Sequence, residues 1–159
     1  SRIGSGLAGE SAGILPNIDG WSATSFPTIA FGQGVSVTQL QAAQVYQTIA
    51  NDGVRITPTV IAGTVDPNGD FQPAPTQPQT RVVSANTAKL VREMMESVVS
   101  EEGTAPGAAI PGYRVAGKTG TAQEYREDCH CYRGVVASFI GMAPVDAPRL
   151  ALGRADTGH

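Results

Sequence analysis

The run Lys118-Thr119-Gly120-Thr121 places a cation, two hydroxyls and a position without a side chain on four consecutive residues. An ammonium and two hydroxyls are donors suited to a carboxylate. A glycine beside them lets a second backbone approach closely. The only lysines of the chain are Lys89 and Lys118, which argues that Lys118 is more than routine surface charge. In an extended strand alternate side chains point to opposite faces, so Lys118 and Gly120 share one face while Thr119 and Thr121 share the other. At the edge of a sheet, unpaired backbone groups can take an extended peptide as an added strand, and a free N–H can stabilise an oxyanion. The spacing therefore predicts a substrate-facing strand over residues 113–123.

A second cluster follows in Asp128-Cys129-His130-Cys131. A structural zinc site needs four ligands in wider paired spacing and there is no second cluster, so neither a metal nor an organic cofactor is expected. Two cysteines one residue apart form a disulfide or remain paired thiols, and the spacing leaves both open. His130 reads as an exposed loop histidine.

The elements that must hold these residues follow from the patterning. Ser36 to Thr38 offers an N-cap ahead of a helix over residues 39–50, where Leu40, Ala43, Val45, Tyr46, Ile49 and Ala50 recur at helical spacing. Asn51-Asp52-Gly53 supplies its stop. Residues 60–65 read as a strand, turned by Asp66-Pro67-Asn68-Gly69, and residues 71–80 as a loop or edge. Ser84 caps a second helix over residues 85–100, with Leu90, Val91, Met94, Met95, Val98 and Val99 as its apolar face. Strands over residues 113–123, 134–142 and from Arg149 to Leu152 follow, joined by short links. The order suggests an α+β fold: an antiparallel meander covered by the two helices. Residues 1–35 read as turns with one short helix.

Composition narrows the function classes. A chain of 159 residues is the size of one modest domain. A net charge of −3 argues against a nucleic-acid or anionic-membrane surface. No apolar run approaches the roughly 20 residues a membrane helix needs. Gly (19) and Pro (11) suit a loop-rich globular domain. The chain starts at Ser1 without Met, and its last stretch begins as an apolar strand and ends in polar residues. A piece of a larger exported protein is the expectation.

The longer string Pro111-Gly-Tyr-Arg-Val-Ala-Gly-Lys-Thr-Gly-Thr-Ala-Gln123 resembles the third motif of class B high-molecular-weight penicillin-binding proteins, whose family signature is S-x-x-K, S-x-N and K-T-G. Phe31-Gly32-Gln33-Gly34-Val35 with the following helix, Ala50-Asn-Asp-Gly-Val54 and Phe139-Ile-Gly-Met-Ala-Pro144 fit the same family in the same order. The resemblance covers about residues 8 to 152 and is strongest to actinobacterial septal or elongation transpeptidases. It implies a β-lactamase/transpeptidase-like fold, here incomplete, with residues 1–159 the C-terminal portion of a transpeptidase domain.

The resemblance also implies roles. Lys118 would join the catalytic proton and charge network, while Thr119 and Thr121 would hold the substrate or β-lactam carboxylate. The Thr121 N–H would form half of the oxyanion hole, and Gly120 would keep the strand open. Gly32, Gln33 and Gly34 would shape the cleft floor or serve as a structural turn. Partners would be the peptidoglycan stem peptide, β-lactam antibiotics and cell-division or elongation proteins, at the extracytoplasmic membrane face, with no nucleic acid. Related proteins carry a similar cysteine pair, which favours a local staple or paired thiols.

The chain departs from the family at two motifs. Neither lysine has a serine three residues before it, since position 86 is Asn and 115 is Val. Ser84-Ala85-Asn86 is the only S-x-N, and it reads as a helix cap. The nucleophile is thus expected outside residues 1–159, and the chain alone is expected to be inactive. Two other classes fit K-T-G. One is a non-catalytic carboxylate-binding or cell-division scaffold module. The other is a relative of serine β-lactamases or β-lactam sensors.

Overall fold

The computed structural model describes residues 2–30, 32 and 35–157. Its contacts divide into two units, Ser1–Gln44 with Ile56–Gln79 and Val45–Arg55 with Thr80–His159.

In the first unit, the Glu10 carboxylate gathers the N–H of Ile3, the N–H of Ser5 and the Ser5 hydroxyl. Those donors, led by the Ile3 N–H, hold the Glu10 carboxyl below the usual carboxylate range. A short 3-10 turn (Ile18–Gly20) and helix α1 (Ser25–Ala30) supply the local helical structure expected of residues 1–35. An antiparallel bridge joins Ile14 and Ser36. The hairpin of β2 (Gly63–Val65) and β3 (Phe71–Pro73) carries the predicted turn, in which Asp66 Oδ1 accepts the N–H groups of Asn68 at 2.9 Å and Asp70 at 3.0 Å. Strand β2 is shorter than the span expected over residues 60–65.

Helix α2 (Gln39–Ala50) has the predicted bounds. Its N-terminus is a reciprocal cap: Thr38 Oγ1 accepts the Gln41 N–H at 3.1 Å while Gln41 Oε1 accepts the Thr38 N–H at 2.8 Å. At its C-terminus Asp52 and Gly53 are left-handed, with φ of 48° and 82°, and the Gly53 N–H returns to Thr48 O at 2.8 Å. A Cβ on Gly53 would lie 2.3 Å from Val83 O, so only glycine satisfies both conditions. Strand β1 (Val54–Ile56) follows and pairs with β4 (Gln79–Arg81) in a two-stranded sheet, so the end of the segment read as a loop or edge is an edge strand.

The second unit is organised by helix α3 (Ala85–Glu96), capped as expected by Ser84 Oγ on the Thr87 N–H at 3.0 Å. The helix gives way to a 3-10 turn over Ser97–Val99, before the expected end at residue 100. Its buried face also differs from the hydrophobic reading. Leu90 (49%) and Met94 (65%) are exposed, whereas Ala88, Arg92 and Met95 are buried. The reason is Arg92, whose Nη1 donates to Ile49 O at 2.7 Å and whose Nη2 meets Asp52 Oδ1 at 2.8 Å. A buried guanidinium with those partners rotates the helix so that Met95 faces the core and Met94 faces solvent.

Strands β5 (Ala116–Arg126), β6 (Cys131–Ala143) and β7 (Leu150–Thr157) form the expected antiparallel meander, in the order β5-β6-β7. β5 has the predicted length but lies three residues further along the chain; β6 runs longer than predicted, and β7 continues past Leu152 to Thr157. Ala116 lies opposite Met142, and these two pack with Met95 and Val145, flanked by Tyr46, Ile49, Ala50 and Val91. Both helices thus cover one face of the sheet, as the pattern predicted. Burial raises the Tyr46 phenol above its usual range.

Arg114, just before β5, is bidentate on Glu96 (2.7 and 2.6 Å) and also contacts Asp146. The Arg114 hydrogen bonds hold the Glu96 carboxyl below its ordinary value of 4.5 and hold Arg114 more firmly protonated. Because its folded value is depressed, Glu96 stabilises the fold above pH 4.5 and loses that contribution as pH falls through the folded value. Urea midpoints should therefore decline on acidification below pH 4.5, and less so in Glu96→Gln. Replacing Arg92 by Met should lower unfolding free energy by about 2–3 kcal/mol, because the Ile49 carbonyl loses a charged donor.

Candidate functional site

Strand β5 is an edge of its sheet: among the described residues it pairs only with β6. The register sets Lys118 opposite Ile140, Thr119 opposite Phe139, Gly120 opposite Ser138 and Thr121 opposite Ala137. Directly opposed residues share a face, so Lys118 and Gly120 lie on the face of Ala116 and Met142, which α3 covers. Thr119 and Thr121 lie on the other, as the strand reading requires. The four residues named from the sequence are therefore brought together on one exposed edge.

Lys118 is exposed, and its Nζ donates to the Thr119 carbonyl oxygen at 2.7 Å. Thr119 is half-buried, with its Oγ1 3.2 Å from Thr104 Oγ1. Thr104 was not anticipated from the sequence. It is held there because the preceding turn folds back: Gly103 N–H reaches Ser100 O at 2.9 Å and Ala105 N–H reaches Val98 O at 2.8 Å. A Cβ on Gly103 would sit 2.3 Å from Val98 O and 2.4 Å from Ser97 O, so glycine is required. The available signal was the pair Gly103-Thr104, between the second predicted helix and the strand expected from residue 113.

Gly120 is half-buried, and a Cβ there would meet only Ser138, with Oγ at 2.5 Å. A hydroxyl can turn away, so the sheet does not by itself demand glycine at this position. The demand is greater at Gly117, where a Cβ would lie 2.3 and 2.6 Å from the Phe139 ring. The same ring is 2.8 Å from a Cβ built on Gly141. Phe139 thus lies flat across two glycines on neighbouring strands, on the face opposite Met142, and stiffens β5 just before Lys118.

Past Thr121 the hairpin continues to a tip closed by a Cys129–Cys131 disulfide, which decides between the two states the spacing left open. The Asp128 carboxylate accepts the Cys129 N–H at 3.0 Å, and His130 is exposed and left-handed at φ 50°. Tyr125 and Tyr132 stack edge-on across the hairpin at 5.4 Å. Gly32 belongs to the first unit, in a turn with φ 92° and open space at its Cβ position. Gln33 and Gly34 lie outside the described residues.

An antiparallel sheet backed by helices, with a K-T-G-T run on its open edge, has the architecture and third motif of the β-lactamase and penicillin-binding protein class. The chain belongs to the penicillin binding protein transpeptidase domain family, whose model matches residues 1–155. It is 48% identical to penicillin-binding protein PbpB of Mycobacterium tuberculosis, over 96% of this chain and 24% of the relative. It is 40% identical to peptidoglycan D,D-transpeptidase FtsI of Escherichia coli, over 92% of this chain and 23% of the relative. It also superposes on the crystal structure of penicillin-binding protein 3 from Mycobacterium tuberculosis complexed with ampicillin. That match has a TM-score of 0.91 and 45% identity, and covers 99% of this chain and 36% of the other. The chain spans about a quarter of the length of these curated relatives.

The Phe139 arrangement has a measurable consequence. Gly117→Ala should destabilise the chain by about 1–3 kcal/mol through overpacking against the ring, whereas Gly120→Ala should cost less. Combining Gly117→Ala with Phe139→Leu should recover part of the loss. Thermal melts of the double-mutant cycle test this, and strict additivity would show that the ring is not what constrains residue 117.

Proposed function

We propose that residues 1–159 are the C-terminal portion of a transpeptidase domain and supply one wall of a serine-type peptidoglycan D,D-transpeptidase site. The observation that carries this reading is Lys118-Thr119-Gly120-Thr121 on the open edge of β5. The Thr119 carbonyl accepts Lys118 Nζ at 2.7 Å, and in this reading it faces the open edge of β5. Backbone direction alternates along an antiparallel edge, so Thr121 directs its N–H and C=O to the same side. A free N–H there, two hydroxyls and an ammonium suit a C-terminal carboxylate with a carbonyl one residue upstream.

In this reading the nucleophilic serine comes from outside residues 1–159, because neither lysine of the chain has a serine three residues before it. The serine Oγ adds to the carbonyl carbon of the penultimate D-Ala of a stem peptide and gives its proton to a neighbouring base. The Thr121 N–H donates a hydrogen bond to the developing oxyanion, while the Thr119 and Thr121 hydroxyls hold the terminal carboxylate. Lys118 supplies positive charge to that network. The carbonyl–nitrogen bond breaks, and terminal D-Ala leaves as an amine carrying the proton. An amine of a second strand then attacks the ester, forming the cross-link and returning the proton to serine.

A β-lactam follows the first half only. Its ring C–N bond opens, but the leaving amine stays tethered, so the ester persists. Ampicillin appears in the complex of the similar Mycobacterium tuberculosis protein, which supports the same chemistry for this chain. Gly32, Gln33 and Gly34 are assigned to the cleft floor on family resemblance. The parent would act at the extracytoplasmic face of the membrane with cell-division or elongation proteins; among the described residues no helix is long and apolar enough to cross a membrane.

The test is intact-protein mass spectrometry of the parent after penicillin treatment. A stable covalent adduct is expected. Lys118→Ala should slow adduct formation by about 100-fold or more. Rapid release of hydrolysed drug would indicate a β-lactamase instead, and no adduct would leave only a binding module.

A further inference from the structure

Strand β5 does not stop at the K-T-G-T run; it continues as a free edge over residues 122–126. By alternation, Lys118, Gly120, Ala122, Glu124 and Arg126 form one row on one face. The row reads cation, gap, small residue, acid, base. Glu124 lies six residues beyond Lys118, about 20 Å along the strand.

The far end of this row is shaped by an irregularity in the ladder. Gln123 pairs with Val135 and Tyr125 with Tyr132, so Glu124 alone stands opposite both Arg133 and Gly134. The surplus residue bulges β6, and Gly134 takes φ 99°, open to glycine but costly for other residues. Glu124 fills the space a side chain at 134 would need, its Oε2 being 2.9 Å from a Cβ built there. The bulge therefore seats the Glu124 carboxylate over the sheet. Arg126 Nη2 approaches Glu124 Oε2 at only 3.4 Å, a loose contact. Arg126 Nε is buried and donates to no partner among the described residues. Neither charge is consumed by the other, and both side chains remain partly exposed, at 23% and 40%.

Peptide polarity connects this pair to the reaction. If the Thr121 N–H binds the scissile carbonyl and the terminal carboxylate beyond it lies towards Thr119, the peptide runs antiparallel to β5. Its upstream residues then pass Ala122, Glu124 and Arg126. We propose that Glu124 and Arg126 form a second recognition point, reading an upstream side chain of the bound peptide that carries both an ammonium and a carboxylate. The ammonium meets Glu124, and the carboxylate meets the partly exposed guanidinium of Arg126. The loose pair opens to admit a ligand whose two charges are arranged in the opposite sense, while Gly120 and Ala122 leave the intervening track clear. This inference rests on the transpeptidase reading.

The experiment uses the intact parent protein and two synthetic acyl-donor peptides ending in D-Ala-D-Ala. In one, an upstream side chain bears a free amine and a free carboxylate; in its twin the amine is acetylated and the carboxylate amidated. The ratio of kcat/KM for the two peptides, taken in one preparation, is independent of the folded fraction. A ratio of about 10 or more is expected for the native protein, as for hydrogen bonds between charged groups. Glu124→Gln and Arg126→Gln should each bring it towards one, chiefly through KM. A native ratio near one, or a ratio that survives both substitutions, overturns the assignment. Penicillin labelling of the same native protein separates the two levels. An adduct with a ratio near one removes only the second recognition point, whereas no adduct removes the transpeptidase reading and this inference with it.

Discussion

The arrangement of β5 depends on apolar burial at one end. Ala116 is fully enclosed and Met142 nearly so, and together they tie the start of the strand to α3 through Met95. Two residues further on, Lys118 is already in solvent. That abrupt change leaves the strand anchored at its start and open along its edge two residues later. A peptide that adds to such an edge gains main-chain hydrogen bonds without the host having to reorganise. The Phe139 ring, lying across Gly117 and Gly141, extends the rigid part to the residue before the lysine.

Polar contacts supply what the small apolar cluster does not. Arg92 joins α3 to the end of α2 through a carbonyl and a carboxylate, and Arg114 joins the end of α3 to the entry of β5 through Glu96. Both arginines act at points where a helix ends and a backbone direction changes. Each has a planar fork of donors that sets an angle as well as a distance, which a lysine does not provide. Arg92 and Arg114 fix the frame, while Lys118, one of two lysines, stands on the open edge of β5.

Much of this was legible in the sequence wherever the determinant is local. The caps at Thr38 and Ser84 and the stop at Asn51-Asp52-Gly53 lie within a few residues of what they terminate, and both helices start where those residues indicate. Alternation along β5 correctly separated Lys118 and Gly120 from the two threonines. The facing of α3 was not legible, because Arg92 is buried by partners about 40 residues earlier, whereas Leu90 and Met94 look like core by composition. The extension of the hairpin past Gln123 was also hidden. Glu124-Tyr125-Arg126 reads as loop, and becomes strand through a cross-strand tyrosine pair and a sulfur bridge. Thr104 met Thr119 through a turn whose geometry only the folded chain reveals.

The Cys129–Cys131 bridge encloses a single residue, so it removes little freedom from the unfolded chain and adds little to global stability by that route. Its consequence is positional. Cys131 pairs with Arg126 at one end of the β5–β6 ladder, and Met142 pairs with Ala116 at the other. A ladder held at both ends cannot slip by one residue. Such a slip would exchange the faces of Lys118 and Thr119, placing the ammonium where a hydroxyl should be. The sulfur bridge at the tip therefore helps to keep the alignment of a motif it never touches.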